Sequence, residues 1–211
     1  MTFLETSERT GGELLRVEVL LPPGFSMPEH VHQRQQERHE VLSGTLRGRV
    51  GGRERDYRQG EQAVGPPGLP HAWRNPSDRE DLRMVSEHRP ALHMELMLDG
   101  GSALTRELEA NKASAPKQLL RAAILLDDTK DDFYFTGAPM RALMAVLVAL
   151  APVGRLLGYG IGYGEDGDEA AAVGSEGQQC LPSVTVVGGV AVAAFTIVLL
   201  VLRWRKRPRT G

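Results

Sequence analysis

The first half of the chain alternates apolar and polar residues with a period of two. Residues 16–19 and 45–50 show this pattern, and turns containing Gly or Pro separate such stretches. Alternation of this kind predicts short strands with one buried face. The turns fall at roughly the spacing found in a β-sandwich or β-barrel. We therefore expect antiparallel β structure over residues 12–98.

The second half of the chain has a different pattern, in which Leu, Ala and Met recur at helical spacing. Segments 103–111, 117–131 and 139–157 contain few β-branched residues, which favours helices. Pro139 suits the first turn of a helix, where its missing N–H is not needed. Residues 99–163 are therefore predicted to be a helical extension of the β structure.

An uncharged apolar run occupies residues 184–202. As a helix, its nineteen residues reach about 28 Å, close to the roughly 30 Å hydrocarbon core of a bilayer. Trp204 and the basic tail 203–211 follow, as expected for an interface anchor on the cytoplasmic side. A buried soluble helix is the alternative, but a small barrel has no room for one that is apolar all round. We predict a transmembrane helix, preceded by a flexible loop at residues 164–183, which are rich in Gly and acidic residues.

A second apolar stretch, residues 142–163, is interrupted by Pro152 and Arg155. Three interpretations stay open: a soluble helix packed on the barrel, an interfacial helix, and a poor membrane span. A single span at the C-terminus, with its tail in the cytoplasm, would place the barrel outside, whereas a hairpin of two spans would keep it inside. The polar N-terminus lacks the features of a secretory signal, which favours a cytoplasmic barrel.

The composition of the chain argues against several classes of function. The chain has 25 Lys and Arg against 27 Asp and Glu, a net charge of −2, which argues against a nucleic-acid partner. Its single cysteine, Cys180, excludes an intrachain disulfide and a zinc site built on several cysteines. No Ser/His/Asp or Cys/His arrangement is recognisable, so the candidate chemistry depends on the histidines.

Three histidines and one glutamate are spaced so that they can converge. His30 and His32 are two residues apart, so on a strand both imidazoles face the same side. Glu37 follows a short loop at the start of the next strand, and a hairpin can bring its carboxylate back toward them. His71 follows a Gly/Pro turn and can enter from a different strand. This ligand set suits a divalent metal ion.

The two segments that contain these residues resemble the two motifs of the cupin superfamily. The first motif, Gly, five residues, His-x-His, four residues, Glu, six residues, Gly, is met by Gly24, His30, His32, Glu37 and Gly44. The second, Gly, five residues, Pro-x-Gly, two residues, His, three residues, Asn, is met by Gly60, Pro66, Gly68, His71 and Asn75. Two long gapped patterns matched together are much more specific than a lone His-x-His pair.

The resemblance implies a mainly β fold, a cupin-type double-stranded β-barrel or jelly-roll, followed by the α-helices and the transmembrane helix. It also implies one divalent metal in the lumen, bound by His30, His32, Glu37 and His71. Mixed nitrogen and oxygen ligation does not distinguish Fe, Mn, Ni, Cu and Zn. The charge of the ion less that of Glu37 leaves the lumen positive, which favours a small, oxygen-bearing, anionic ligand.

The reaction does not follow from the family, because cupins serve many functions. A metal-dependent oxygenase or isomerase, a non-catalytic sensor, and a scaffold for homodimer formation all stay open, and no catalytic residue is assigned. The expected partners are a small molecule and the membrane lipid bilayer.

The remaining motif and histidine positions are given structural interpretations. His39, His88 and His93 are taken as solvated or edge residues, since a lone histidine on a strand usually is one. Trp73 and Asn75 are taken as packing and turn residues, with Asn75 the candidate for an outer-shell partner of the metal ligands. The motif glycines are expected at turns that need a positive φ.

Overall fold

The computed structural model describes residues 1–110 and 114–161. The strands are β1 (Thr2–Glu5), β2 (Leu15–Leu21), β3 (Ser26–His32), β4 (Gln36–Ser43), β5 (Thr45–Val50), β6 (Arg53–Arg58), β7 (Gln62–Gly65), β8 (His71–Arg74), β9 (Leu82–Arg89) and β10 (Phe133–Phe135). The helices are α1 (Met94–Glu109), α2 (Ala115–Thr129), α3 (Ala138–Ala149) and α4 (Ala151–Leu156). The predicted loop 164–183, apolar run 184–202 and basic tail 203–211 lie outside the described residues.

The strands form two five-stranded antiparallel sheets. We call the first, in the order β1-β2-β9-β4-β7, sheet A, and the second, in the order β10-β3-β8-β5-β6, sheet B. Among residues 1–110 and 114–161 no ladder joins the sheets, so the barrel consists of two facing sheets and is not closed. The mainly β fold followed by helices is as predicted.

Strand β2 shows why these residues form the inner face of a sheet. Leu15, Val17, Val19 and Leu21 are buried and alternate with more exposed residues, as expected for a strand with one side in the core. The four motif glycines have positive φ, as predicted. At Gly44 a Cβ would also lie 2.7 Å from the carbonyl oxygen of Asp81, so backbone conformation and space both require glycine.

Two strands lie outside the range predicted for β structure. Strand β1 precedes residue 12 and pairs with β2. Strand β10 lies within the predicted helical extension, between α2 and α3, and pairs with β3 so that Phe133 is opposite His32 and Phe135 is opposite His30. Phe133 and Phe135 are buried and Tyr134 is exposed. A strand of three residues is too short for its alternation to be recognised in the sequence.

The helices α1 and α2 join the core of the sheets, and α2 also packs against the later helices. α1 begins at Met94, ahead of the predicted start at residue 103, because Met94 and Met97 bury their side chains in the main core with the sheet residues. α2 contributes Ala122 and Leu125 to the same core. α2 also packs against α3 through Leu126 and Leu147 and against α4 through Ile124 and Ala151.

The stretch Ala138–Leu156, with a mean hydropathy of 1.5, is long and apolar enough to cross a membrane by length and composition alone. It is the one such helical stretch in the described part of the chain. Arg155 nevertheless forms ion pairs of 2.6 Å with Asp127 and with Asp128 of α2. Gly154 sits so close to α2 that a Cβ would lie 2.9 Å from Ile124 Cδ1. These contacts favour the interpretation of a packed helix, attached to α2 and, through Met140 and Met144, to the core that includes Phe133 and Phe135 of β10.

Candidate metal centre

A cavity of about 100 Å³ lies between the two sheets and under α1. By the same measure a water molecule needs only about 10–15 Å³, so the cavity has room for a small molecule. Most of its wall is apolar, with Val17 and Met84 from sheet A, Phe133 from sheet B and Met97 from α1. Its polar side chains are concentrated in a cluster of histidines around Glu37.

His30, His32 and Glu37 line this cavity, and His71 lies beside them, all four buried. One potential ligand atom from each lies within 4.8 Å of the others. Sheet B supplies the three histidines, with His30 on β3 paired opposite His71 on β8. Sheet A supplies Glu37 from the start of β4. Glu37 Oε2 lies 3.1 Å from Nε2 of His71, 3.6 Å from Nε2 of His30 and 3.7 Å from Nε2 of His32.

Backbone carbonyl groups set the orientation of two of these rings. His30 Nδ1 donates to the carbonyl oxygen of Pro28 at 2.8 Å, and His71 Nδ1 donates to that of Leu69 at 2.7 Å. A neutral imidazole has one N–H, so donation from Nδ1 leaves Nε2 as a bare lone pair. Outer hydrogen bonds of this kind commonly orient histidines that ligate metals.

The donor set fits a divalent metal ion. Bare nitrogens and a carboxylate oxygen are all electron-rich, and they face one another at 3.1–3.7 Å. His71 Nε2 has no hydrogen-bond partner in the described part of the chain. Such a cluster requires a positive charge at its centre, and three imidazoles with one carboxylate are suitable ligands for a divalent transition metal.

The charge state of the cluster differs from that of free side chains. Burial by itself would raise the pKa of Glu37, but the charge on His39 and contacts with His30 and His32 hold the pKa of this carboxyl well below its usual range. Burial lowers the pKa of His32. Burial also opposes the charged form of His71, but the Glu37 carboxylate outweighs it and raises the pKa of that ring. Glu37 is therefore ionised, as a metal ligand must be.

Trp73 is the outer partner of Glu37, and Asn75 is not. Trp73 Nε1 donates to Glu37 Oε2 at 2.8 Å, which adds a contact to the packing role that was predicted. Asn75 Nδ2 donates instead to backbone carbonyl groups, including that of Leu21 at 3.1 Å and that of Glu80 at 2.8 Å. Asn75 therefore holds loops together, and its predicted alternative role beside the metal ligands is not supported by these contacts.

The interpretation of His39 and His88 as solvated or edge residues is wrong. His39 and His88 are only 2% and 3% exposed and border the cavity. His39 Nε2 lies 3.2 Å from Glu37 Oε1, although off the line of a hydrogen bond. Ser86 Oγ connects the two rings, 3.0 Å from His39 Nδ1 and 3.2 Å from His88 Nε2. His93 is exposed, as predicted, and contacts Asp132.

Burial has a large effect on His88, whose pKa falls from 6.5 to about 3. The sequence contained a signal for this position, because His88 follows Leu82, Met84 and Ser86 at intervals of two. The same alternation places His39 on the face of β4 that carries Glu37. These two residues could therefore have been assigned to the lumen.

Comparison with known proteins agrees with this geometry. Residues 17–86 match the family described as a cupin domain, and this match supports the cupin superfamily for the sheet region. No curated protein matches the chain.

Several solved structures are similar to part of the chain. One, from Thermus thermophilus, is 27% identical, with a TM-score of 0.38 over 42% of this chain and 80% of that one. Another, an uncharacterized conserved protein with a double-stranded β-helix domain from Klebsiella pneumoniae, is 27% identical, with a TM-score of 0.35 over 38% and 70% of the two chains. A predicted oxalate decarboxylase from Thermotoga maritima is 22% identical, with a TM-score of 0.40 over 42% and 76%.

Proposed function

We propose that the protein binds one divalent metal through His30, His32, Glu37 and His71 and holds a small oxygen-bearing molecule beside it. The convergence of four buried ligand atoms within 4.8 Å carries this proposal. The apolar wall of the cavity supports a ligand with an oxygen end at the histidines and an apolar body. An enzyme, either an oxygenase or an isomerase, and a non-catalytic sensor are equal forms of this proposal.

The residues of the site have separate tasks. A bound divalent ion would supply Lewis-acid polarisation of a ligand oxygen. Pro28 and Leu69 keep Nε2 of His30 and His71 available through their carbonyl groups, and Trp73 restrains Glu37. The apolar wall excludes water, which strengthens the electrostatic attraction of an anionic ligand.

The first experiment measures the metal content of the purified full chain by elemental analysis. We expect about one divalent metal per chain, most of which is lost in the double variant His30→Ala, His71→Ala. His93→Ala is the matched control, because it removes an exposed histidine outside the cavity and should keep the metal.

A proton on one ring is the competing source of positive charge, since the pKa of His71 is raised by Glu37. Metal affinity separates the two explanations. A metal site should weaken below pH of about 6.5, because protons compete for the imidazoles. A folded wild-type protein that takes up no metal at pH 7.5 would show that a proton holds the cluster together.

We also propose that residues 184–202 anchor the protein in a membrane, with the basic tail in the cytoplasm. The length of this uncharged run and the basic residues after it support the proposal. The ion pairs between Arg155 and α2 support a single span over a hairpin, since α3 and α4 are then a packed part of the domain. A single span with its tail in the cytoplasm places the sheet domain outside the cell, against the expectation from the N-terminus.

Cys180 provides the test, because it lies just ahead of the apolar run. A membrane-impermeant maleimide added to intact cells should label Cys180 if residues 164–183 face out. Protease access to the sheet domain then distinguishes a domain outside the cell from one inside. Extraction of the protein by carbonate alone would contradict the anchor, and Cys180→Ser is the control for labelling.

A further inference from the structure

The outer side of α3 and α4 is apolar although it is exposed. In the sequence of Ala138–Leu156 the only side chains with a polar group are those of Arg141 and Arg155. The exposed apolar residues recur at intervals of four and three, so they align along one side of the helical stretch. They are Ala142, Val146, Ala149, Val153 and Leu156. A surface helix of a soluble domain normally has polar residues on this side, so this face is suited to an apolar partner.

The other side of the same stretch is already used in the fold. Leu147, Ala151 and Gly154 are buried and recur at the same intervals, and the first two pack against α2. Arg155 also reaches α2, through its two ion pairs. Val146, by contrast, is 61% exposed. The outer side therefore has no comparable partner in the part of the chain that the structure describes.

A groove with a cavity of about 220 Å³ lies beside this face, between α2, α3 and β10. Tyr134 and Arg141, both exposed, border the groove together with Met144 and Val148. The guanidinium carbon of Arg141 lies 5.9 Å from the centre of the Tyr134 ring. Tyr and Arg suit the boundary between water and lipid, since each has an apolar body and a polar tip. The groove has room for the end of an acyl chain, with Arg141 at the level of the lipid headgroups.

The size of the face argues against a second copy of the chain as its partner. A helical stretch of 19 residues is about 28 Å long and about 10 Å wide, so its outer side offers roughly 300 Å². A stable protein–protein interface needs about 800 Å² on each partner. A membrane contact can be smaller, because an attached anchor keeps the face close to the bilayer.

We infer that the outer side of α3 and α4 lies on the surface of a lipid bilayer, with its apolar residues at the boundary between headgroups and acyl chains. This inference rests on the proposed membrane anchor at residues 184–202. Only residues 157–183 separate the end of α4 from that run, and a flexible chain of this length spans about 30 Å on average. The bilayer contact then fixes the orientation of the sheet domain, which a single flexible attachment leaves free.

The experiment places the full chain in phosphatidylcholine nanodiscs and reads the surroundings of single cysteines. In a Cys180→Ser background, Val146→Cys carries an environment-sensitive nitrobenzoxadiazole label, and doxyl groups on the lipid acyl chains act as quenchers. Val64→Cys is the matched control, because Val64 is also exposed but lies on β7 of sheet A. We expect doxyl lipid to quench the label at position 146 and not the label at position 64.

Two carboxylates on the face should release it from the bilayer, since charged groups are costly at the apolar boundary. Val153→Glu and Leu156→Glu introduce them on the same side as Val146, at positions that are 46% and 86% exposed. We expect quenching of the label at position 146 to be lost in this double variant, whereas Val64→Glu should leave it unchanged. Thermal unfolding compares the stability of both variants with that of the parent. Quenching that persists in the folded double variant overturns the inference.

The outcomes also separate this inference from the anchor. A chain that does not enter nanodiscs contradicts the anchor and with it the basis of the inference. A chain that enters nanodiscs but shows no quenching at position 146 supports the anchor and overturns the inference. If the label there has the blue-shifted emission of an apolar environment without lipid quenching, a protein surface covers the face. That result overturns the inference in favour of a second copy or of residues 184–202 themselves.

Discussion

The two walls of the cavity hold their histidines by different means. On the sheet B wall, His30 and His71 donate to backbone carbonyl groups two residues earlier in the chain. On the sheet A wall, His39 and His88 are connected through the hydroxyl of Ser86. Backbone acceptors survive any side-chain substitution at the residues that provide them, whereas the Ser86 hydroxyl is lost in a single change.

This difference suggests that the two walls have different tasks in the site. The sheet B wall is suited to a fixed task, such as holding metal ligands at constant geometry, because its supports belong to the main chain. The sheet A wall carries only Glu37 among the candidate ligands, and its other polar groups can vary without dismantling the metal centre. The following predictions test that contrast, from the largest expected effect to the smallest.

The largest expected effect is that of acid on the stability of the sheet A wall, through His88. The pKa of His88 is about 3 in the folded protein and about 6.5 in the unfolded chain. Below pH 6.5 the unfolded chain therefore binds a proton at His88 that the folded protein does not bind. His88 should therefore lower the free energy of unfolding of the metal-free protein by about 3 kcal/mol between pH 6.5 and pH 4. Urea unfolding at several pH values measures this loss. His88→Gln should lack this part of the slope, and an unchanged slope would contradict the prediction.

Removal of one histidine from each wall should have unequal effects on metal affinity. We expect His71→Ala to weaken it at least a hundredfold, since a ligand atom is lost, and His39→Ala only about tenfold, as for an outer contact. Competition with a chromophoric chelator at pH 7.5 gives both values. Equal losses would show that His39 is itself a ligand, and His93→Ala serves again as the unaffected control.

Crowding of the His71 ring on the sheet B wall should weaken both the fold and metal binding. A Cβ at Gly65 would lie 3.0 Å from three atoms of the His71 ring, so Gly65→Ala should displace the ring that the Leu69 carbonyl group orients. We expect unfolding to be easier by about 1–3 kcal/mol and metal affinity to fall by about tenfold. Gly160→Ala is the matched control, because its Cβ meets no atom within 4 Å. Thermal unfolding measures the change in stability, and chelator competition measures the change in metal affinity. No change in either quantity would contradict the prediction.

Loss of the hydroxyl in Ser86→Ala should have the smallest effect. The substitution leaves His39 Nδ1 and His88 Nε2 without their partner, at a cost of about 1 kcal/mol in unfolding free energy. Glu37 and the sheet B histidines keep their supports, so metal affinity should change only about threefold. Ser43→Ala, at the exposed end of β4, controls for loss of a serine. A loss of metal affinity as large as that in His71→Ala would contradict the proposed difference between the two walls.

The sequence allowed prediction of features that depend on local spacing. The motif positions placed His30, His32, Glu37 and His71 as candidate ligands, and the structure brings these four together. The helices were found approximately because their periodicity extends over several turns. The start of α1 was placed too late, since Met94 and Met97 are held by the core of the sheets rather than by local preference.

Features that depend on distant pairing were missed. β10 is recognisable only through its ladder with β3, which joins residues about a hundred positions apart. His39 and His88 looked like isolated histidines because their connection runs through Ser86, and only His88 has that serine nearby in sequence. Whether the barrel is closed could not be predicted either, since closure depends on ladders between the two sheets that no local pattern reveals.

The position of β10 has a consequence for the solubility of the sheet domain. β10 is the outermost strand of sheet B, so without it the edge of that sheet would be β3, the strand that carries His30 and His32. An uncovered edge strand presents free N–H and C=O groups and can recruit strands from other molecules. A chain cut after residue 98 would expose this edge. β10 replaces the seven-residue edge of β3 with an edge strand of three residues, so the segment beyond the motifs should reduce this route to aggregation as well as enclose the cavity.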